Sequence, residues 1–205
     1  MIAIVDYGAG NLGSIEKALR YIGAEAVLTH DPTEAAGADG LVLPGVGAFG
    51  HCMSGLESAN MRGAVLDFIG SGRPFLGICV GLQMLFTDSV EMGNQQGLGV
   101  IDGRVIRFGD SVGAGLKIPQ IGWNSVRSRP GAALFEGIPQ ETRFYFVHSF
   151  YPAPKSASVV SATADYGGEF CCAVEVGNVH ATQFHPEKSG TAGLAVLRNF
   201  AALCP

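Results

Sequence analysis

The sequence predicts an α/β fold: a doubly wound, mostly parallel sheet flanked by helices, with additional antiparallel strands in the C-terminal half. Three observations carry that expectation. The first 86 residues alternate short apolar runs with segments of helical spacing, the pattern of a parallel sheet with crossover helices. From Gly103 onward the texture changes to short β-rich runs separated by turn signals. The 205 residues are 47% hydrophobic and only 15% charged, enough for one domain, 1–205, with a substantial core.

The elements follow in chain order. Residues 1–5 are a short apolar run and read as a buried parallel strand. Residues 6–13 form a glycine-rich loop in which Gly8, Gly10 and Gly13 approach the dinucleotide fingerprint. The acidic residue expected about 20 positions on has only Glu25 to fill it, and Glu25 precedes the next strand. Residues 14–21 have helical spacing, with Ile15, Ala18, Leu19 and Ile22 on one face and Gly23 as the stop. Strands follow at 26–28 and 40–43, with a short helix carrying Pro32 and Glu34 between them. Residues 44–47 lie at a strand's carboxyl end, where ligands bind in such sheets. Residues 55–69 read as one helix interrupted by Gly63, and 87–99 as a polar surface loop. The β-rich runs are 104–108, 122–126, 143–147, 158–162 and 171–176, and 190–203 closes the chain as a helix with Leu194, Leu197 and Phe200 facing the core.

Two stretches carry chemistry. Residues 74–86 pass from an apolar run through Gly77-Ile78-Cys79-Val80-Gly81 into helical spacing, a thiol version of the strand–turn–helix nucleophile elbow. A helix N-terminus at Cys79 favours the thiolate, and the Val80 amide is placed to donate to an oxyanion. The plain alternative is a buried core cysteine. The second stretch, residues 179–188, is a strand-like run ending in His185-Pro186-Glu187. Pro186 stops the strand, and alternation puts His185 and Glu187 on one side, so the carboxylate can hold the imidazole while its other nitrogen faces a thiol. His148 lacks a carboxylate two residues on, so His185 is the better base.

Gly77-Ile78-Cys79-Val80-Gly81-Leu82-Gln83 and Gln183-Phe184-His185-Pro186-Glu187 resemble the two signatures of the triad-type (class I) glutamine amidotransferases. The segments 6–12, 44–49, 119–124 and 145–149 narrow the resemblance to the branch serving histidine biosynthesis, over nearly the whole chain. The resemblance implies a Cys79–His185–Glu187 triad that releases ammonia from glutamine, and an oxyanion hole from Val80, Val46 and Gly47. It implies that the Val46 peptide reorients to complete that hole. It sets Gln83, with Gly47, and the segment holding Tyr145, His148 and Ser149 against the substrate. It puts Asn11, Gln120 and Trp123 on a surface facing a (β/α)8 cyclase subunit, the partner in a heterodimer, which uses the ammonia to make imidazole glycerol phosphate. From residue statistics alone, Trp123 would be a core aromatic. Competing readings are a glutaminase for another acceptor, a non-catalytic regulatory module of the same fold, and a thiol hydrolase or redox-sensing cysteine protein. The intact Cys79, His185 and Glu187 argue against the module.

Bulk properties exclude other classes. A net charge of −5 with no Lys/Arg cluster argues against nucleic acid. The first apolar run is too short for a signal peptide or membrane span, so a cytoplasmic chain with no membrane partner is expected. Five cysteines without Cys-x-x-Cys fit a reducing compartment, and no Cys/His spacing suits a metal. No cofactor is implied.

Overall fold

The computed structural model describes residues 1–109 and 116–205. In chain order the elements are β1 (Ile2–Val5), α1 (Leu12–Tyr21), β2 (Ala26–Thr29), α2 (Pro32–Gly37), β3 (Gly40–Leu43), α3 (Phe49–Ser58), α4 (Arg62–Gly70), β4 (Phe75–Ile78) and α5 (Val80–Met84). Then come β5 (Phe86–Ser89), β6 (Gln95–Gln96), β7 (Ile101–Arg107), β8 (Gln120–Ser128), β9 (Thr142–His148), β10 (Phe150–Pro154), β11 (Val160–Asp165), β12 (Glu169–Val176), β13 (Val179–Thr182) and α6 (Gly190–Leu203).

One nine-stranded sheet runs β2-β1-β3-β4-β13-β12-β11-β8-β9, and a four-stranded sheet runs β10-β7-β5-β6. The first five strands of the large sheet are parallel. The remaining four join antiparallel. Every residue of β1, β3, β4 and β13 is buried, which explains their unbroken apolar character. Helices α1 and α6 pack together, as do α2 and α4. On α1 the buried residues are Ile15, Ala18 and Leu19, the face given by its spacing.

The large sheet curls. Three strands separate β13 from β9, yet Phe184, just past β13, stacks on Phe144 of β9 with ring centroids 4.2 Å apart. His185 N donates to Tyr145 O at 3.0 Å beside it. The curl brings the end of the antiparallel half over the mouth of the parallel half.

Three expectations need correction, and one strand had no expectation to match it. The stretch 55–69 is not one helix: α3 begins at Phe49, and the break falls at Asn60, whose φ of 56° turns the chain, while Gly63 lies inside α4. The supposed surface loop 87–99 contains β6 and most of β5, because β7 supplies a ladder that overrides weak local propensity. The strand β10 was not apparent because it carries Pro152 and Pro154; it is tolerated as a sheet edge. On α6 the buried positions are Gly193, Val196, Leu197 and Phe200, with Leu194 only partly covered. Among the described residues no helix is long and apolar enough to cross a membrane.

Candidate active site

The site forms where β4 and β13 end side by side. After Ile78 the chain turns sharply at Cys79, whose φ of 56° and ψ of −109° are strained for a side-chain-bearing residue. Close backbone approach explains the flanking glycines. A Cβ on Gly81 would stand 2.0 Å from Leu43 O, and one on Gly77 would stand 2.9 Å from Gly81 O. Cys79 N donates to Thr182 O at 2.7 Å, which ties the elbow to β13. The following helix spans only five residues, so its dipole is that of little more than one turn.

The pairing of β13 with β4 sets Thr182 opposite Ile78, which brings Gln183 beside Cys79 and His185 two residues further on the same side. Glu187 reaches His185 by another route than strand alternation. The chain enters a 3-10 turn at Pro186–Lys188, and this swings the carboxylate back to the ring. His185 Nδ1 lies 2.8 Å from Glu187 Oε1, with both side chains almost inaccessible. Ser189 fixes the turn: its hydroxyl donates to His185 O at 2.6 Å and accepts from Tyr145 N at 2.9 Å. His185 Nε2 is buried with no hydrogen-bond partner in the resting chain. Burial disfavours the imidazolium, but Cys79 and Glu187 outweigh it and push His185 upward from the ordinary histidine range.

The loop after β3 crosses in front of this pair. Gly45 O accepts from Val80 N at 3.3 Å. The Gly45–Val46 peptide is trans, so the Val46 N–H points away from Val80. The neighbouring carbonyls are held from behind: Tyr7 donates to Pro44 O at 2.6 Å, and Cys52 Sγ to Val46 O at 3.3 Å.

A cavity of about 530 Å³ opens over Cys79 and His185. Of the residues read from the sequence, it also gathers Val46, Gly47, Val80, Gln83, His148 and Ser149 on its wall. Asn11, expected on a partner-facing surface, lines the cavity and donates to Glu187 Oε1 at 3.4 Å. Tyr145 is not on the wall; its ring stands edge-on to Trp123, 6.3 Å between centroids. Trp123 is 48% exposed, beside Ile121 at 64%. Gln120 departs from the interface expectation: it is buried, and its amide meets His148 Nε2 at 3.0 Å. His148 Nδ1 donates to Phe150 O at 2.9 Å. Burial pushes His148 down to about 4, so the ring is neutral; Gln120 Oε1 stands 3.0 Å from Nε2, and turning that amide over gives Nε2 a donor.

The near-match to a dinucleotide loop has a packing explanation. A Cβ on Gly10 would stand 2.9 Å from Pro44 Cβ, so this glycine lets the first loop approach the loop after β3. One cavity residue, Glu91, and one buried neighbour of the thiol, Gln183, carry no role in the sequence reading. Glu91 presents a carboxylate to the wall and accepts from Phe49 N at 2.7 Å; a lone acid in a polar stretch has no pattern to reveal it. Gln183 contacts Cys79, and its signal was the two-residue spacing from His185.

A family model described as "Glutamine amidotransferase class-I" matches residues 3–204. Curated relatives named "Imidazole glycerol phosphate synthase subunit HisH" are 53% identical over 203 residues in Syntrophotalea carbinolica, covering 98% of each chain. The relative of that name in Methanothermobacter thermautotrophicus is 54% identical over 200 residues, covering 98% of this chain and 97% of its own. Among solved structures, one titled as a glutamine amidotransferase superposes with a TM-score of 0.73 at 22% identity, covering 100% of this chain and 99% of its own. PurLQS from Thermotoga maritima superposes with a TM-score of 0.72 at 20% identity, covering 97% and 96%. With its fold shared by those structures and its sequence matched from end to end, the chain belongs to the class I glutamine amidotransferase family.

Proposed function

We propose that the chain is the glutaminase subunit of an imidazole glycerol phosphate synthase, hydrolysing glutamine and passing the ammonia to a docked (β/α)8 cyclase subunit in a heterodimer. The observation that carries this is the strained Cys79 beside a buried His185–Glu187 pair, in a chain sharing half its residues with subunits of that name.

His185 takes the Cys79 proton, and the sulfur attacks the side-chain carbonyl of glutamine. The tetrahedral intermediate collapses as His185 returns the proton to the departing ammonia. Water, deprotonated by His185, then cleaves the thioester and releases glutamate. Glu187 holds the Nδ1–H and stabilises the imidazolium. The cavity carboxylate of Glu91 suits the α-ammonium of the substrate.

The resting oxyanion hole is incomplete, because Gly45 O occupies the Val80 amide. Rotating the Gly45–Val46 peptide by about half a turn frees Val80 N–H and brings Val46 N–H inward. Each donor contributes roughly 3 kcal/mol to the transition state in comparable sites. Partner docking drives that rotation. The exposed Trp123–Ile121 strip on β8 is the anchoring surface of the cyclase contact.

Glutamate release by the chain alone, and with a cyclase subunit and its acceptor ligand, tests the reading. A low basal rate that rises at least ~100-fold with the partner is expected. Turnover indifferent to the partner would point to another acceptor. No turnover under either condition would remove Cys79 from the role of nucleophile.

A further inference from the structure

The catalytic reading leaves Gln183, a wholly buried polar side chain, without a role. Its Nε2 lies 3.7 Å from Cys79 Sγ, within hydrogen-bond range for sulfur. The polarity of this contact follows from a chain of partners that begins at a backbone carbonyl. Phe150 O can only accept, so the end of the Gln83 amide 3.0 Å from it is the nitrogen. The second hydrogen of Gln83 Nε2 is directed at the Gln183 amide 3.1 Å away, and the atom receiving it is Oε1. The other end of the Gln183 amide is therefore a donor, and that end meets the sulfur. Turning either amide over would set two donors or two acceptors face to face in a buried region, which protein interiors avoid.

A buried N–H aimed at sulfur favours the anion over the thiol. Beside the imidazolium that His185 becomes on taking the thiol proton, the remaining sources of such help are weak in the resting chain. The helix behind Cys79 has five residues, and the Val80 N–H is engaged by Gly45 O. We propose that Gln183 is a catalytic residue whose amide N–H holds Cys79 as an aimed thiolate, and that Gln83 is the positioning residue that fixes its polarity. The inference rests on Cys79 being the nucleophile. No proton leaves Gln183: the thiol proton goes to His185, and the amide remains a donor throughout. Both amide hydrogens of Gln83 are spent within the protein, so towards glutamine Gln83 can only accept, through Oε1.

The test follows alkylation of Cys79 by iodoacetamide across pH, read on the Cys79 peptide by mass spectrometry because the chain has four other thiols. It compares wild type, Gln183→Met and Gln183→Glu as full chains. Methionine keeps length without a donor. Glutamate keeps the acceptor for Gln83 and turns a second acceptor to the sulfur, so it supplies a folded variant should Gln183→Met unfold. In Gln183→Met the alkylation profile is expected to move up by about one pH unit, and further in Gln183→Glu. With the cyclase present, kcat for glutamate release falls ~10-fold or more while KM stays within about twofold. An unmoved alkylation profile in either folded variant overturns the proposal, because a purely structural role would leave it in place. Wild-type glutamate release and its loss in Cys79→Ala report separately on the nucleophile, so the two readings fail by different signals.

Discussion

The parallel and antiparallel halves of the large sheet divide the work of the site. The parallel strands β1, β3, β4 and β13 are buried on both faces, and they deliver Cys79, Gln183 and His185 through backbone register. The antiparallel β8 and β9 alternate, with Gln120 and His148 inward and Ile121 and Trp123 outward. The end of β9 gives the cavity one wall, and β8 gives the molecule an exposed apolar strip. Strands covered on both sides can hold reacting atoms in place but cannot meet a partner. Strands open on one side can do both.

Breaking the parallel half should have the largest effect. Cys79→Ala abolishes glutamate release while ammonia-dependent synthesis by the cyclase persists; loss of both would mean that the residue is structural. Next comes the aromatic junction of the two halves, where Phe184 packs among Phe135, Phe144 and Phe146. Phe184→Ala should cost about 3–5 kcal/mol in denaturant unfolding. A smaller effect belongs to the antiparallel wall. His148 is held neutral by burial with a folded value of about 4 against 6.5 for the free side chain. Between those values the unfolded chain binds the extra proton, so the contribution is full above about 6.5 and is lost as pH falls towards about 4. The loss reaches about 3 kcal/mol, and His148→Gln should flatten that part of the stability–pH curve. The smallest effect is on the outer face. Trp123→Ala should weaken cyclase binding by about 2 kcal/mol, with unfolding free energy within about 0.5 kcal/mol of wild type. A fully retained affinity would move the contact elsewhere.

Much of the parallel half was legible in the sequence because its signals are local. An apolar run, a glycine pair forced by close backbones, and a proline that stops a strand each act within a few residues. The elbow at Cys79 follows from such signals; strand alternation predicts the contact of His185 with Glu187, and the chain makes it instead through the 3-10 turn at Pro186–Lys188. The antiparallel half was legible only in part. Strand β5 exists because β7 lies beside it, and β10 survives its prolines because it is an edge, facts of tertiary pairing. The inward turn of Gln120, the reach of Asn11 to Glu187 and the place of Glu91 on the wall depend on loops meeting from distant parts of the chain.

That distance also orders events during synthesis. Cys79 and Gln183 are 104 residues apart, and the strand that seats His185 is the last in the sheet to be made. A ribosome-bound chain that has already formed its elbow carries a cysteine with neither base nor amide beside it. It can bind no productive substrate until β13 slides in next to β4 and the final helix closes over the turn.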